Sequence, residues 1–174
     1  MAVELEEFVQ APLRATNEWS EVRKLANRLL IELNSEVTLK GIIEANSPGT
    51  PSSEVQAAFR PAAESLGFQS EKKGLFDNTI AGLRPDYYLA IDGVGVILEV
   101  ERGKTTTNNM DLLDFWKCHI CDVASYLFLL VPKELRHNET MRPKKEFIAV
   151  RRRMAQFFEP ANYTNVRGLC LFGY

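Results

Sequence analysis

Several features are missing from this sequence, and each absence narrows what the chain can be. No stretch approaches the ~20 consecutive apolar residues that a membrane-spanning helix needs. The opening Met1-Ala-Val-Glu-Leu-Glu-Glu is acidic and lacks the basic n-region of a secretory signal. Cysteine is sparse, three residues in 174, two of them (Cys118 and Cys121) close together. That is not a disulfide scaffold, and a soluble chain in a reducing cytoplasm is the expectation. An excess of either charge is missing too. The 21 Lys and Arg against 23 Asp and Glu leave a net −2, which argues against coating nucleic acid through bulk positive charge. There is no internal repeat, no low-complexity tract and no groove-reading motif. Cys118-His119-Ile120-Cys121 has a metal-like spacing but no second ligand pair. Gly103-Lys104-Thr105 resembles the end of a phosphate-binding loop without its upstream glycine.

What remains is an ordinary globular composition, 45% hydrophobic and 25% charged, in a length that suits one domain. The average charge hides a gradient. Residues 1–21 carry Glu4, Glu6, Glu7, Glu18 and Glu21 against Arg14. Between 133 and 153 lie Lys133, Arg136, Arg142, Lys144, Lys145, Arg151, Arg152 and Arg153 against only Glu134, Glu139 and Glu146. A local basic face of this kind can contact phosphates.

The most informative stretch is Arg84–Lys104. Two apolar runs, Tyr87–Ile91 and Val94–Val100, flank Asp92-Gly93. Asp-Gly between hydrophobic strands is a strong hairpin signal, because a type I′ turn needs positive φ at both central residues. That register pairs Ile91 with Val94 and sets Asp86 opposite Glu99. Glu101, two residues further, shares their face. Three carboxylates on an otherwise apolar sheet are costly unless a cation compensates them, so the register predicts a metal site.

Elsewhere the spacing predicts a helix over 17–33, capped by Thr16 or Asn17, and a further turn or two around Val37–Ile43. A second helix is expected from Ser53, with Gln56 as capping-box partner, Pro61 as a kink or break, and an end at Gly67. Glu54 lies at the edge of its apolar stripe. Phe68–Lys73 reads as a first strand, 108–122 as a helix, Ser125–Val131 as a buried strand, 143–158 as a basic helix and Val166–Phe172 as a last strand. Lys117 falls inside the stripe of Met110, Leu113, Trp116 and Ile120, where it must snorkel, find a partner or work. Trp19 and Trp116 are expected in the core, His137 in a surface loop. The fold class is α/β: a central mixed β-sheet flanked by helices in the order αβββαβ. Residues 1–50 form an N-terminal helical extension packed with a core over 51–174.

Pro85-Asp86 followed by Glu99-Val100-Glu101 across a turn resembles the PD-(D/E)xK nuclease superfamily, whose core is restriction-endonuclease-like. The resemblance covers roughly residues 53–132. It implies a divalent-metal-dependent endonuclease that hydrolyses DNA, with Mg²⁺ as cofactor and Mn²⁺ as a substitute. By position it makes Asp86 and Glu99 metal ligands, with Glu54 completing the set. The chain departs from the pattern at Glu101, where lysine is usual. Lys117 or Lys104 would then supply the lost charge, Lys117 being preferred, and the catalytic set becomes Asp86, Glu99, Glu101 and Lys117. Lys104, Lys144, Lys145, Arg151, Arg152 and Arg153 are the candidate DNA contacts, and a homodimer is expected for double-strand cleavage. The alternative is a catalytically inactive module that keeps the fold to bind nucleic acid or a protein partner.

Overall fold

The computed structural model describes residues 2–70, 84–91, 93–103, 105–136 and 142–174. Six strands among these residues form one mixed sheet in the order β1-β6-β5-β4-β3-β2, with β1 at Glu4–Val9, β2 at Gln69–Ser70, β3 at Tyr87–Ile91, β4 at Val94–Val100, β5 at Tyr126–Val131 and β6 at Gly168–Gly173. The helices are α1 (Asn17–Leu33), α2 (Glu36–Ala45), α3 (Ser52–Ser65), α4 (Met110–Ile120) and α5 (Glu146–Phe157). The element order α3-β2-β3-β4-α4-β5 is the expected αβββαβ core. No helix among the described residues is long and apolar enough to cross a membrane.

The hairpin has the register that its turn implies. Tyr87 pairs with Leu98 and Ile91 with Val94. Gly93 has φ +84°, the conformation a tight turn asks of glycine; Asp92 lies outside the described residues. From β4 the chain runs parallel to β5 and then β6, with α4 and α5 as the crossovers. Each strand of this centre is buried on both faces, as parallel strands under helices must be. Alternation divides the core in two. Tyr87, Leu98, Val100 and Phe128 pack with Val22 and Leu29 of α1 and Phe59 of α3. Ile97, Leu127 and Leu129 pack with Phe115 and Cys118 of α4 and Val150 and Met154 of α5. Glu99, between Leu98 and Val100, therefore points towards α4 and α5.

The N-terminal segment is not helical throughout. β1 closes the sheet's outer edge, antiparallel to β6. Its Glu-Leu-Glu-Glu-Phe-Val carries too many acids to resemble a buried strand, but an edge strand tolerates them, and charge there discourages pairing with other chains. Glu7 bonds Arg23 of α1 at 2.8 Å, and Phe8 stacks on Phe158 with ring centroids 5.8 Å apart. Thr16 caps α1, its hydroxyl accepting from the Trp19 amide. Trp19 is buried. The expected capping box on α3 does not form: the N-cap is Pro51 and no side chain caps the helix. Pro61 sits within α3, which continues past it to Ser65. Of the expected first strand Phe68–Lys73, Gln69 and Ser70 pair with Tyr88 and Tyr87, and Phe68 is buried just before them; residues 71–73 and His137 lie outside the described residues.

Gly95 permits the close approach of β4 to the backbone of Val123 and Ala124. A Cβ there would stand 2.0 Å from the Val123 carbonyl oxygen and 2.9 Å from the Ala124 Cα. These are backbone atoms that cannot swing aside. Gly95→Ala is expected to destabilise the fold at the upper end of the about 1–3 kcal/mol usual for overpacking. Urea denaturation would show a lowered midpoint; an unchanged midpoint would contradict the close approach.

Candidate active site

Continuing the hairpin register one step beyond β3 brings Asp86 against Glu99. The Asp86 amide donates to Glu99 Oε2 at 3.1 Å, and the Val100 amide donates to Asp86 Oδ2 at 2.8 Å. Gln56 Nε2, from the second turn of α3, donates to Asp86 Oδ1 at 3.0 Å. The position of α3 is tied to the same end of β4, because the Arg102 guanidinium donates to the Ser47 and Thr50 carbonyls just before the helix. Sequence, register and loop anchoring thus place three polar side chains around one strand end.

Across this face lies α4, in a different phase from that expected. Its buried positions are Asp111, Asp114, Phe115 and Cys118, whereas Leu113 and Trp116 are 44% and 55% exposed. The expectation of Trp116 in the core is therefore corrected. Phe115 and Cys118 dock on the sheet, and the three-residue spacing of Asp111, Asp114 and Lys117 carries the polar residues alongside them. Lys117 Nζ lies 3.0 Å from Glu99 Oε1 and 2.8 Å from Asp114 Oδ1. Glu99 is 2% exposed and Asp114 fully buried.

Burial dominates the electrostatics. It raises the pKa of Asp86, Glu99 and Asp114, since each carboxylate loses water that the Lys117 ammonium only partly replaces. Burial alone would depress Lys117, but the Glu99 and Asp114 carboxylates more than offset it, and its pKa is raised. In this state Lys117 is a fixed cation and a hydrogen-bond donor, not a base. Glu101 is pushed up to about 9, first by burial, then by the charge of Asp114 and a hydrogen bond to it. Oδ2 of Asp114 is buried without a conventional donor. The Asp114 carboxyl is hydrogen-bonded to Glu101, which when protonated is the donor of that pair. The Glu101 backbone is held as well, its amide donating to the Leu130 carbonyl at 2.8 Å and its carbonyl accepting from the Tyr174 hydroxyl at 2.6 Å.

Other expected site residues fall elsewhere. Glu54 is exposed in the first turn of α3, and Gln56, two residues further along the helix, makes the contact to Asp86. Lys104 lies outside the described residues. Lys145, Arg151 and Arg152 are exposed, and Lys144 is exposed with Nζ 3.0 Å from Thr107 Oγ1. Arg153 is engaged internally, 3.0 Å from Asp111 and 3.1 Å from Asn109, so it braces α5 against α4 rather than facing solvent freely. Cys118 is buried, and His119 Nδ1 accepts from the Asn165 amide at 3.1 Å. Asp114 and Gln56 are the site residues that sequence reasoning missed. The signal for Asp114 was its position three residues before Lys117.

A divalent cation fits this site in donor chemistry but only in part in arrangement. Asp86 and Glu99 are hard oxygen donors side by side, and Mg²⁺ needs only one or two carboxylates besides water and phosphate oxygens. Among the described residues no group of three or more His, Cys, Asp or Glu side chains is arranged to hold a metal ion. A cleft of about 560 Å³, lined by Ser52, Gln56, Glu101, Arg102 and Met110, opens beside the acids.

The buried acids make a pH prediction. An unfolded glutamate titrates near 4.5, whereas folded Glu101 keeps its proton up to about 9. Between those values the folded state binds more protons. The contribution of Glu101 is thus complete below the unfolded pKa and is lost as pH rises through the folded one. Asp86, Glu99 and Asp114 shift in the same direction. In chelator-treated protein the melting temperature is expected to fall as pH rises from about 5 to about 9, and Glu101→Gln should flatten that fall. A melting temperature that rises over this range would contradict it.

No family model matches the sequence, and no curated protein matches it. Among solved structures the chain is similar to the crystal structure of the restriction endonuclease BglII complexed with a DNA 16-mer. The identity is 12% and the TM-score 0.46, over 99% of this chain and 78% of that one.

Proposed function

We propose that this chain is a divalent-metal-dependent endonuclease that hydrolyses DNA phosphodiester bonds. The observation that supports this most is the Asp86–Glu99–Lys117 constellation, two adjacent carboxylates and one ammonium at the C-terminal end of a central strand. Asp86 and Glu99 are the residues that would hold Mg²⁺ or Mn²⁺. When bound, such a cation acidifies a water and stabilises charge on the phosphate oxygens.

The chain's own groups have separable tasks. Lys117 presents a fixed positive charge to the phosphate through the N–H that Glu99 and Asp114 leave unused. Gln56 orients Asp86 from α3. Glu101 holds its proton at neutral pH and can accept one only when added positive charge beside it lowers its pKa. Lys144, Lys145, Arg151 and Arg152 are the exposed cations on and before α5 that could meet phosphates. Arg153 drops from that set because Asp111 neutralises it. A homodimer would supply the second site needed to cut both strands.

One observation favours a second reading, a nuclease-fold module that binds without cleaving. Lys117 already neutralises Glu99, so the pair can serve as a buried ion pair.

The test is nicking or cleavage of plasmid DNA with Mg²⁺ or Mn²⁺. Asp86→Ala and Glu99→Ala are each expected to lower the rate by at least about 10²-fold, and Lys117→Met by a similar factor. Undiminished cleavage in Asp86→Ala and Glu99→Ala would overturn the assignment. DNA binding without cleavage under every metal condition would select the second reading.

A further inference from the structure

We infer that Asp114 is a positioning residue of this site, holding the Lys117 ammonium against Glu99. The inference rests on the proposed nuclease reading and extends it to a residue outside the motif. Asp114 is a fully buried aspartate on the sheet-facing side of α4, where Phe115 and Cys118 occupy the neighbouring core positions. Stability gives little reason for an acid there, because well-packed apolar residues usually replace buried ion pairs at no loss.

Geometry supplies a reason. A lysine bound to Glu99 alone would keep rotamer freedom in its four-carbon stem. Asp114, one turn earlier on the same helix, fixes Nζ from a second side at 2.8 Å, while Glu99 holds it from the sheet at 3.0 Å. The Asp114 carboxyl also hydrogen-bonds the Glu101 side chain. One carboxyl thus braces both groups that stand in place of the usual motif lysine. Asp114 has no role in touching substrate; it acts through Lys117.

The test uses the full-length chain with Asp114→Ala and the near-isosteric Asp114→Asn. Three quantities are read: the single-turnover DNA cleavage rate with Mg²⁺, the DNA dissociation constant at fixed salt, and the ¹⁵N-detected resonance of the Lys117 ammonium. Loss of the brace is expected to slow cleavage by about 10²-fold in Asp114→Ala. DNA affinity should stay within about two-fold, since Asp114 faces no solvent. The Lys117 resonance should shift or exchange-broaden in both variants. If Asp114→Ala does not fold, Asp114→Asn carries the test, with a loss of about 10-fold expected because an amide can still accept one hydrogen bond. An unchanged rate and resonance would overturn the inference, as would a rate and affinity that fall together. If the parent chain does not cleave DNA, the nuclease reading fails while the lysine resonance still decides whether Asp114 holds Lys117.

Discussion

Everything around the site follows from one constraint: a glutamate is buried on the central strand of the sheet. Glu99 sits one residue from the C-terminal end of Val94–Val100, 2% exposed, on the face where α4 and α5 pack. An isolated carboxylate there would be prohibitively costly, so the face must supply compensation. Lys117 is that compensation, with the Asp86 amide bonding the second oxygen. Bringing a lysine to the sheet then forces α4 to turn its polar residues inward. Asp114 follows because it shares the helix face of Lys117, and Glu101 holds its proton first because it is buried and then because Asp114 beside it is anionic.

The result is a charge network that is closed in the absence of a cation. Each oxygen of Asp86 and Glu99 accepts a hydrogen bond from the protein. The network is nonetheless over-supplied with acid: among the described residues, Asp86, Glu99, Glu101 and Asp114 face one lysine, Lys117. All four carboxyls are raised in pKa, first by burial, and the Lys117 ammonium offsets only part of that rise. A cleft of about 560 Å³ opens beside Glu101 and Arg102 at this end of the strand.

Much of the sheet was legible in the sequence because its signals are short-ranged. Asp92-Gly93 sets the hairpin register, and alternation then places Asp86 opposite Glu99 without further information. The buried runs of β5 and β6 and the capped α1 are equally local. What the sequence concealed depends on tertiary context. β1 looks like an acidic tail until β6 pairs with it. In α4 hydrophobicity points Leu113 and Trp116 inward, whereas the fold buries Asp114 and turns Lys117 to the strand beneath. Local preference and the fold disagree at a candidate functional site, where such conflicts are expected. Gln56 has the spacing of a capping-box partner, and nothing nearby in the sequence reveals that Asp86 is within its reach.

The central claim is that Asp86 and Glu99 form a divalent-cation site. Calorimetric titration of Mn²⁺ into the chelator-stripped parent chain and into Glu99→Gln tests it most directly. The account predicts saturable binding to the parent and its loss in Glu99→Gln with the fold intact. Equal binding by the two proteins, or none by the parent at millimolar ion, would contradict it.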